Sequence, residues 1–299
     1  MLDVVIVGAG PAGLSCALYA TRAGASVVIL DKGAPGGKMN LTASIENYPG
    51  ANMKGPQLAY AMYEQAMSFG AKMEYKEIVS IEKKEDYFVV KTNKDEFETK
   101  NVVLATGTKE RLMNIPLEEE LTGRGVSYCA VCDGPFFKNK DVAVIGGGNS
   151  ALEESLYLSD IVHTVHLIVR RDEFRADDYY VNKIKEKENI EIHFLKKPHQ
   201  ILENENKVAG LVIEDSQTGA LSTLELQGIF PFIGLDPMSE LVKDFDVVNE
   251  QGYVKVDENM ETAVKGLFAV GDVCEKTLRQ VITAANDGAI AGQYIAGKK

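Results

Sequence analysis

The sequence contains few of the side chains that bind metal ions. Its 299 residues include four cysteines and four histidines, which is little for a structural zinc site with four ligands. The only closely spaced cysteine pair is Cys129 and Cys132, and no second pair completes such a site. The histidines, none at zinc-ribbon spacing, are His163, His166, His193 and His199. We therefore expect no metal ion in this protein.

The sequence also lacks long apolar runs and any excess of positive charge. No apolar run approaches the roughly 20 residues that cross a bilayer. The apolar residues 1–8 have no basic region and lead into a glycine loop, which argues against a signal peptide. A formal net charge of −12 disfavours binding to nucleic acids and anionic membranes. Because Cys16 and Cys274 are isolated from each other, we expect a cytoplasmic protein.

The composition is that of a globular protein, and the length suffices for two domains.

A dinucleotide-binding fingerprint opens the chain. The apolar run 4–7 precedes Gly8, Gly10 and Gly13 in the pattern G-x-G-x-x-G, and a helical stretch and a second apolar run then end at Asp31. This order predicts a Rossmann-type unit in which the glycines admit a pyrophosphate and pack the helix on the strand. Asp31 would bind the ribose hydroxyls.

Shorter motifs follow the fingerprint. Residues 36–38 and 46–50 contain glycine or proline and predict loops over the nucleotide. Residues 57–69 have the apolar spacing of an amphipathic helix, and residues 78–105 change to short β runs. The polar, proline-containing residues 109–116 predict a linker.

A Cys-x-x-Cys pair, Cys129 and Cys132, follows this linker and directly precedes Asp133. Two cysteines at this spacing can close a small disulfide ring that exchanges with other thiols. A carboxyl beside them can move protons to and from sulfur. Three alternative interpretations compete with this one: a structural zinc site, for which the sequence lacks further ligands at suitable spacing, a static disulfide and a pair of inert buried thiols.

A second fingerprint repeats the first at an offset of 138 residues, the difference between Gly146 and Gly8. At this offset Gly148 and Ala151 correspond to the other two glycines, and Val169 takes the place of the ribose-binding acid. The arginines that follow are Arg170, Arg171 and Arg175. Guanidinium groups in place of a carboxylate suit the 2′-phosphate of NADP, so we expect this unit to bind NADPH.

The rest of the chain indicates that the second unit is an insertion. Short β segments recur over residues 192–226, and residues 230–234 predict a second linker. Residues 266–272 then predict a strand that ends in an acid, and residues 281–296 predict a closing helix. Because this strand and helix are left over after the second unit, the first domain should resume near residue 235.

Together these motifs resemble the low-molecular-weight thioredoxin reductases of the pyridine nucleotide-disulfide oxidoreductase class. The motifs that carry the resemblance are residues 8–13, 36–37, 46–50, 105–107, 125–130, 132–134, 146–151, 170–176, 267–272 and 279–281. The resemblance implies an α/β fold of two Rossmann-like three-layer (ββα) nucleotide-binding domains. It places an FAD-binding domain at 1–111 and 235–299, with an inserted NADPH-binding domain at 112–234 that carries the cysteine pair.

The resemblance also implies the site residues. The FAD contacts would be Gly8, Gly10, Pro11, Ala12, Gly13, Asp31, Gly36, Gly37, Lys38, Asn47, Thr106, Gly107, Gly271, Asp272, Arg279, Gln280 and Val281. The NADPH contacts would be Gly146, Gly148, Asn149, Ser150, Arg170, Arg171 and Arg175, and the catalytic residues Cys129, Cys132 and Asp133. Two residues depart from the family pattern: Val131 replaces a usual Thr, and Val169 replaces a His that would offer another 2′-phosphate contact.

In this family electrons pass from NADPH through FAD to the cysteine pair, and then by exchange to a disulfide on thioredoxin. The resemblance implies a homodimer whose NADPH domain rotates on hinges at about 109–116 and 230–235. Three alternative functions remain: reduction of a peroxiredoxin or a small-molecule disulfide, use of another electron donor, and redox sensing by a flavin-binding protein.

Overall fold

The computed structural model describes residues 1–41 and 45–298. The chain divides into two compact units. Unit 1 comprises Met1–Lys109 and Asp236–Lys299, and unit 2 comprises Glu110–Leu235. Unit 2 is therefore inserted in the sequence of unit 1, and Lys299 lies outside the described residues.

The first part of unit 1 alternates strands and helices. Its elements are β1 (Leu2–Val7), α1 (Pro11–Arg22), β2 (Val27–Asp31), β3 (Ile45–Tyr48), β4 (Ala51–Met53), α2 (Gly55–Ser68), β5 (Lys72–Tyr75), β6 (Ile78–Lys83), β7 (Phe88–Thr92), β8 (Glu96–Leu104) and β9 (Thr108–Glu110). Helix α1 begins at Pro11, whose fixed φ suits a first helical position, and ends before Gly24, which has a φ of +84°.

Unit 2 follows. Its elements are α3 (Ala130–Asp133), β10 (Asp141–Ile145), α4 (Asn149–Ser159), β11 (Thr164–Val169), α5 (Asp178–Lys185), β12 (Ile190–Phe194), β13 (Lys196–Asn204), β14 (Lys207–Asp215), β15 (Leu221–Glu225) and β16 (Gly228–Pro231). Strand β17 (Leu235–Pro237) leads back to unit 1 and pairs with β9. Unit 1 ends with β18 (Leu267–Ala269) and α6 (Val281–Gly297). None of the helices in the described ranges is long and apolar enough to cross a membrane.

A seven-stranded sheet in the order β5-β2-β1-β8-β7-β6, with β18 beside β8, forms the centre of unit 1. Its central strands are apolar on both faces, as expected for parallel strands covered on two sides. Ile6 and Ile29 pack towards the helices, and Val5 and Leu30 pack in the core on the other face. The close contact between α1 and α6 depends on glycine, since a Cβ on Gly288 of α6 would lie 2.0 Å from the carbonyl oxygen of Ala12 in α1.

Unit 2 has three layers. Its four-stranded parallel sheet has the order β12-β11-β10-β16. Val144 and Leu167 pack in one core with Leu152 of α4, on the helical side of the sheet. Ile145 packs in a second core with Leu211, which belongs to the three-stranded antiparallel sheet β13-β14-β15. Two sheets and a helical layer confirm the expected α/β fold.

The internal repeat is visible in the strand register. Val7 of β1 is paired with Leu30, and Ile145 of β10, 138 positions later, is paired with Ile168. The glycine after each first strand makes the same hydrogen bond: the Gly8 N–H donates to Leu30 at 2.9 Å, and its counterpart Gly146 donates to Ile168 at 3.0 Å. The two fingerprints therefore fold in the same way.

Two predictions about connecting segments were wrong. The second linker does not begin at residue 230, because Phe230 is buried in β16, which pairs in parallel with β10. The segment 46–50 is not simply a loop, because Ile45–Tyr48 and Ala51–Met53 form an antiparallel hairpin. In both places a proline resembled a break in the structure, whereas it stands at the end of a strand or in a tight turn.

Candidate functional site

A disulfide joins Cys129 to Cys132, with an S–S distance of 2.09 Å. Cys129 precedes the single helical turn α3 and its sulfur accepts a 3.1 Å hydrogen bond from the N–H of Cys132. Cys132 is exposed and Cys129 is half-buried, so other thiols can reach the bond. Of the alternatives, inert buried thiols do not describe this pair. They describe Cys16 and Cys274, where burial raises both pKa values to about 12.

The segment before the disulfide is held by polar contacts that the sequence did not indicate. The Ser127 hydroxyl accepts a hydrogen bond from the Cys129 N–H at 3.1 Å, and the Ser127 N–H donates to Ile229 of β16 at 2.9 Å. Tyr128 is bonded to Glu118, a buried carboxylate. Glu118 was missed because it belongs to the acidic run 118–120, which resembles an exposed charged surface.

Asp133 is the last residue of α3 and is half-buried. Its backbone N–H donates to the carbonyl oxygen of Cys129 at 3.1 Å. This hydrogen bond fixes the backbone of Asp133 next to the disulfide. The short 3₁₀ helix Gly134–Phe137 begins directly afterwards, and the Asp133 side chain makes no capping hydrogen bond to it. The carboxyl is therefore not used as a helix cap.

The glycine loop of unit 1 leaves room for a phosphate. Gly8 has a φ of +111°, and a Cβ there would lie 2.3 Å from the carbonyl oxygen of Ala105, so only glycine fits. A Cβ on Gly13 would lie 2.0 Å from the Gly8 carbonyl oxygen. At Gly10, by contrast, an added Cβ would meet no described atom within 4 Å. This open face lies at the start of α1, where free N–H groups and the helix dipole favour an anion.

Asp31 ends β2 and supports this loop. Its two carboxylate oxygens accept hydrogen bonds from the N–H groups of Ala9, at 2.7 Å, and Gly33, at 2.8 Å. The following glycines approach the same loop: the Gly36 N–H donates to Ala9 at 2.7 Å, and a Cβ on Gly37 would lie 3.4 Å from the Cα of Gly10. The predicted loop 36–38 leads into a 3₁₀ helix, Gly37–Leu41.

The remaining expected FAD contacts lie in three further segments of unit 1. The Lys38 ammonium donates to the Thr108 hydroxyl at 3.3 Å, and the Thr106 hydroxyl donates to the Met238 carbonyl at 2.6 Å. Gly107 has a φ of +70°. The Asn47 amide donates to Gln280, directly before Val281 at the start of α6, at 3.0 Å. The structure thus connects Asn47 to the C-terminal segment 233 residues later.

Asp272 has the least satisfied buried carboxylate among the described residues. Its Oδ1 atom is buried and has no hydrogen-bond partner. Burial raises the pKa of Asp272, while the nearby charges of Lys276, Arg279 and Lys38 act in the opposite direction. An unsatisfied buried acceptor costs free energy unless a ligand supplies a donor. Asp272 and the open face at Gly10 therefore fit a bound flavin nucleotide with hydroxyl groups and a pyrophosphate.

The glycine loop of unit 2 resembles that of unit 1 at its first glycine. Gly146 has a φ of +144°, and a Cβ there would lie 2.3 Å from the Phe232 carbonyl oxygen. The Asn149 side chain, at the start of α4, is held by Asp177 through two hydrogen bonds of 3.0 and 2.7 Å. Gly148 precedes α4 without a side-chain cap, and Ser150 lies in the first turn. This loop can also receive a phosphate group.

The three arginines lie beside this second loop. The Arg175 N–H donates to the carbonyl of Gly147 at 2.7 Å, and Arg175 forms a β-bridge with Gly148. Arg170 and Arg171 directly follow β11, and all three side chains are exposed. No group in residues 1–41 and 45–298 accepts a hydrogen bond from their guanidinium groups, so they fit an added phosphate.

Two Rossmann-type units and an accessible Cys-x-x-Cys disulfide define a nucleotide-dependent disulfide oxidoreductase. Residues 2–288 match the model of the pyridine nucleotide-disulphide oxidoreductase family. Thioredoxin reductase from Bacillus subtilis is 41% identical, with 98% of this chain and 93% of the relative covered. The thioredoxin reductase of Ureaplasma parvum is 44% identical, with coverages of 98% and 95%. A thioredoxin reductase structure from Lactococcus lactis has a TM-score of 0.97 and 41% identity, with each chain fully covered. This chain belongs to the pyridine nucleotide-disulphide oxidoreductase family, among its bacterial-type thioredoxin reductases.

Proposed function

We propose that the protein uses NADPH and FAD to reduce thioredoxin through the Cys129–Cys132 disulfide. The observation that carries the proposal is an accessible disulfide in a chain with two glycine loops, each at the start of a helix. FAD, when bound, would accept a hydride from NADPH and supply two electrons to the disulfide. Cofactor binding, proton transfer and thiol exchange are assigned below to residues of the protein.

Unit 1 is the proposed FAD-binding domain. Gly8, Gly10 and Gly13 would admit the pyrophosphate to the start of α1, and Asp31 would position the adenosine ribose. The unpaired Oδ1 of Asp272 supports a flavin site at the C-terminal segment, because a flavin side-chain hydroxyl can supply the missing donor.

Unit 2 is the proposed NADPH-binding domain. Its loop at Gly146 and Gly148 would bind the pyrophosphate, with Asn149 and Ser150 in the first turn of α4. The proposed 2′-phosphate ligands are Arg170, Arg171 and Arg175. The three side chains are exposed, and their guanidinium groups make no hydrogen bond within the described residues. Both observations support this role, since guanidinium groups bind phosphate with charge-assisted hydrogen bonds.

The proposed catalytic steps reduce the disulfide of this protein and then exchange it with the disulfide of thioredoxin. Two electrons and two protons convert the Cys129–Cys132 disulfide to a dithiol. One thiolate then attacks the thioredoxin disulfide to form a mixed disulfide, and the other cysteine displaces it to release reduced thioredoxin. Asp133 would transfer protons at the sulfur atoms. The absence of a capping hydrogen bond from its side chain supports this role, because the carboxyl has no helix cap to maintain.

A rotation of one unit on the other would be absorbed where the chain passes between them, in β9 and β17. Gly107 and Gly234 lie beside these strands with φ values of +70° and +126°, where glycine is favoured. We place the proposed hinges at about residues 107–111 and 234–238. The second hinge cannot extend back to residue 230, because β16 belongs to the core of unit 2.

NADPH oxidation in the presence of a thioredoxin from the same organism tests the function. We expect continuous turnover that requires thioredoxin and is lost in Cys132→Ser. A single turnover would favour a redox sensor. Turnover with a peroxiredoxin or a small-molecule disulfide, but not with thioredoxin, would favour the other reductase functions. Homodimerisation and a cytoplasmic location stay predictions from the resemblance, and light scattering on the purified protein tests the first.

A further inference from the structure

Strand pairing in unit 2 brings together three side chains that can bind a metal ion. His166 lies on β11, and Glu191 and His193 lie on the neighbouring β12. In the parallel register His166 is opposite Glu191, and His193 is opposite Ile168, two residues after His166. Because side chains two residues apart on a strand point to the same face, all three lie on one face of the sheet.

The distances among these groups suit one bound ion. His166 Nδ1 lies 3.2 Å from His193 Nε2 and 3.3 Å from Glu191 Oε2, and the remaining pair of ligand atoms is 3.9 Å apart. Zinc binds imidazole nitrogen and carboxylate oxygen at about 2.0–2.2 Å, so ligand atoms of a tetrahedral site lie roughly 3.3 Å from each other. The cluster is already close to the geometry of three corners of a tetrahedron.

The burial of the three residues also suits a metal site. The side chains of His166 and His193 are 12% and 23% exposed, whereas Glu191 is 59% exposed. The imidazole groups are therefore held by the packing around them, and the carboxylate leaves a path from solvent. Neutral imidazole and carboxylate are ligands that zinc and similar divalent transition metals accept.

We propose that His166, Glu191 and His193 bind one divalent transition-metal ion of the Zn²⁺ type, with solvent as the fourth ligand. The ion would link β12, the edge strand of the four-stranded sheet, to β11 and would stabilise unit 2. This site revises the expectation of no metal, which considered only the number of cysteines and histidines and their spacing along the sequence. It is independent of the proposed reaction, because its residues are not among those assigned to FAD, NADPH or sulfur chemistry.

The cysteine pair must be controlled in any test, because a reduced dithiol also binds zinc through its thiolates. We therefore propose titration of the oxidised protein, with the Cys129–Cys132 disulfide intact, in competition with a chromophoric zinc chelator. The variants are His166→Gln and His193→Gln. The matched control is His199→Gln, because His199 lies 3.2 Å from Glu214 in a similar His–Glu pair but belongs to no three-residue metal-binding group among the described residues.

We expect one Zn²⁺ ion per chain in the oxidised wild type and in His199→Gln. Loss of either ligand should weaken binding by at least about tenfold, since even the indirect supports of a metal ligand contribute that much. Excess Zn²⁺ should also raise the melting temperature of the wild type and the control but not of the ligand variants. The proposal is overturned if the wild type binds no stoichiometric Zn²⁺, which would leave a metal-free hydrogen-bonded pair. Undiminished Zn²⁺ binding in both ligand variants would overturn the proposal as well. Circular dichroism of each variant identifies any loss of fold.

Discussion

The Tyr128 hydroxyl donates a 2.5 Å hydrogen bond to Oε1 of Glu118, a carboxylate that is 2% exposed. Glu118 also accepts hydrogen bonds from the N–H groups of Met113 and Asn114, at 2.8 and 2.7 Å. Burial raises the pKa of Tyr128, and the negative charge of Glu118 raises it further, so the hydroxyl stays protonated as a donor. Since Tyr128 directly precedes Cys129, this buried bond fixes the start of the disulfide segment.

We expect Tyr128→Phe to lower the free energy of unfolding by about 1–3 kcal/mol, because the substitution removes one of the two donors, Tyr128 and the Met113 N–H, that bond Oε1 of this buried carboxylate. Urea denaturation of the oxidised protein measures the loss. Tyr60→Phe is the matched control, since Tyr60 is also bonded to a glutamate, Glu64, but is 60% exposed. The control should change stability by less than about 0.5 kcal/mol. Equal effects of the two substitutions would contradict a special role for the buried bond.

Asp272→Asn should affect the apoprotein and its flavin binding in opposite ways. The buried carboxylate has a raised pKa, so its ionisation destabilises the folded apoprotein as the pH rises through the acidic range. The neutral amide should therefore leave the melting temperature of the apoprotein at pH 7 unchanged or higher. Loss of the charged acceptor should weaken FAD binding about ten- to a hundredfold, which flavin fluorescence titration measures.

The control for this prediction is Asp257→Asn. Oδ1 of Asp257 accepts hydrogen bonds from the N–H groups of Asn259 and Glu261 at 2.9 Å each, so this aspartate supports a turn. Its substitution should lower stability slightly and leave flavin binding unchanged. Wild-type FAD affinity in Asp272→Asn would contradict the proposed flavin site. A wild-type protein that purifies colourless and takes up no added FAD would contradict the function as a whole.

Arg170→Ala should raise the Michaelis constant for NADPH by roughly ten- to a hundredfold, because a charge-assisted contact to phosphate contributes about 1.5–3 kcal/mol. NADH has no 2′-phosphate and serves as the internal control, so its Michaelis constant should hardly change. Steady-state kinetics with both nucleotides make the comparison. Equal losses would mean that the arginine supports the fold and does not bind the 2′-phosphate.

Glu154 of α4 should make stability depend on pH. Burial, followed by the charge of Glu153, raises the pKa of Glu154 to about 7. The folded state therefore retains a proton that the unfolded state releases from about pH 4.5, and stability falls as the pH rises from there to about 7. Glu154→Gln should remove this loss and be more stable than the wild type by on the order of 2 kcal/mol at pH 8. Thermal denaturation from pH 5 to 8 should show the difference growing up to about pH 7 and then levelling off.

The glycine loops could be predicted from the sequence because the motif that marks them is local, although the carbonyl oxygens that exclude a side chain at Gly8 and Gly146 belong to Ala105 and Phe232. The spacing G-x-G-x-x-G between a strand and a helix is read within a few residues, and the offset of 138 identified the second loop from the first. The α/β fold followed from the same alternation of strands and helices. The structure confirms that fold, whereas the individual cofactor contacts stay predictions.

Features that depend on distant strand pairing could not be predicted in this way. Phe230 was assigned to a linker because its partner strand, β10, lies more than 80 residues earlier in the sequence. His166 and His193, 27 residues apart, have no recognisable spacing until β11 and β12 are paired. Glu118 belongs to an acidic run that resembles an exposed surface. Only the folded chain brings together the three donors that bond its buried carboxylate.

Asp133→Asn tests the proposed proton transfer at the disulfide. The amide is nearly isosteric, so the variant should retain FAD, NADPH binding and the Cys129–Cys132 disulfide. A positioned acid typically contributes about 10² to 10⁴ in rate, and water can replace part of this, so turnover should fall by at least about tenfold. Cys129→Ser and Cys132→Ser are the comparison, because they should abolish thioredoxin reduction while NADPH still bleaches the flavin.

The pH dependence separates an acid at Asp133 from a structural residue. A structural role would let asparagine serve as well, since it also suits turns. The Asp133 side chain makes no capping hydrogen bond, so no such contact remains for the amide to preserve. If the carboxyl moves the proton, the variant should be slow between pH 6 and 9 and recover partly with a small diffusible acid. Turnover equal to that of the wild type across this range would assign proton transfer to solvent and leave Asp133 without a chemical role.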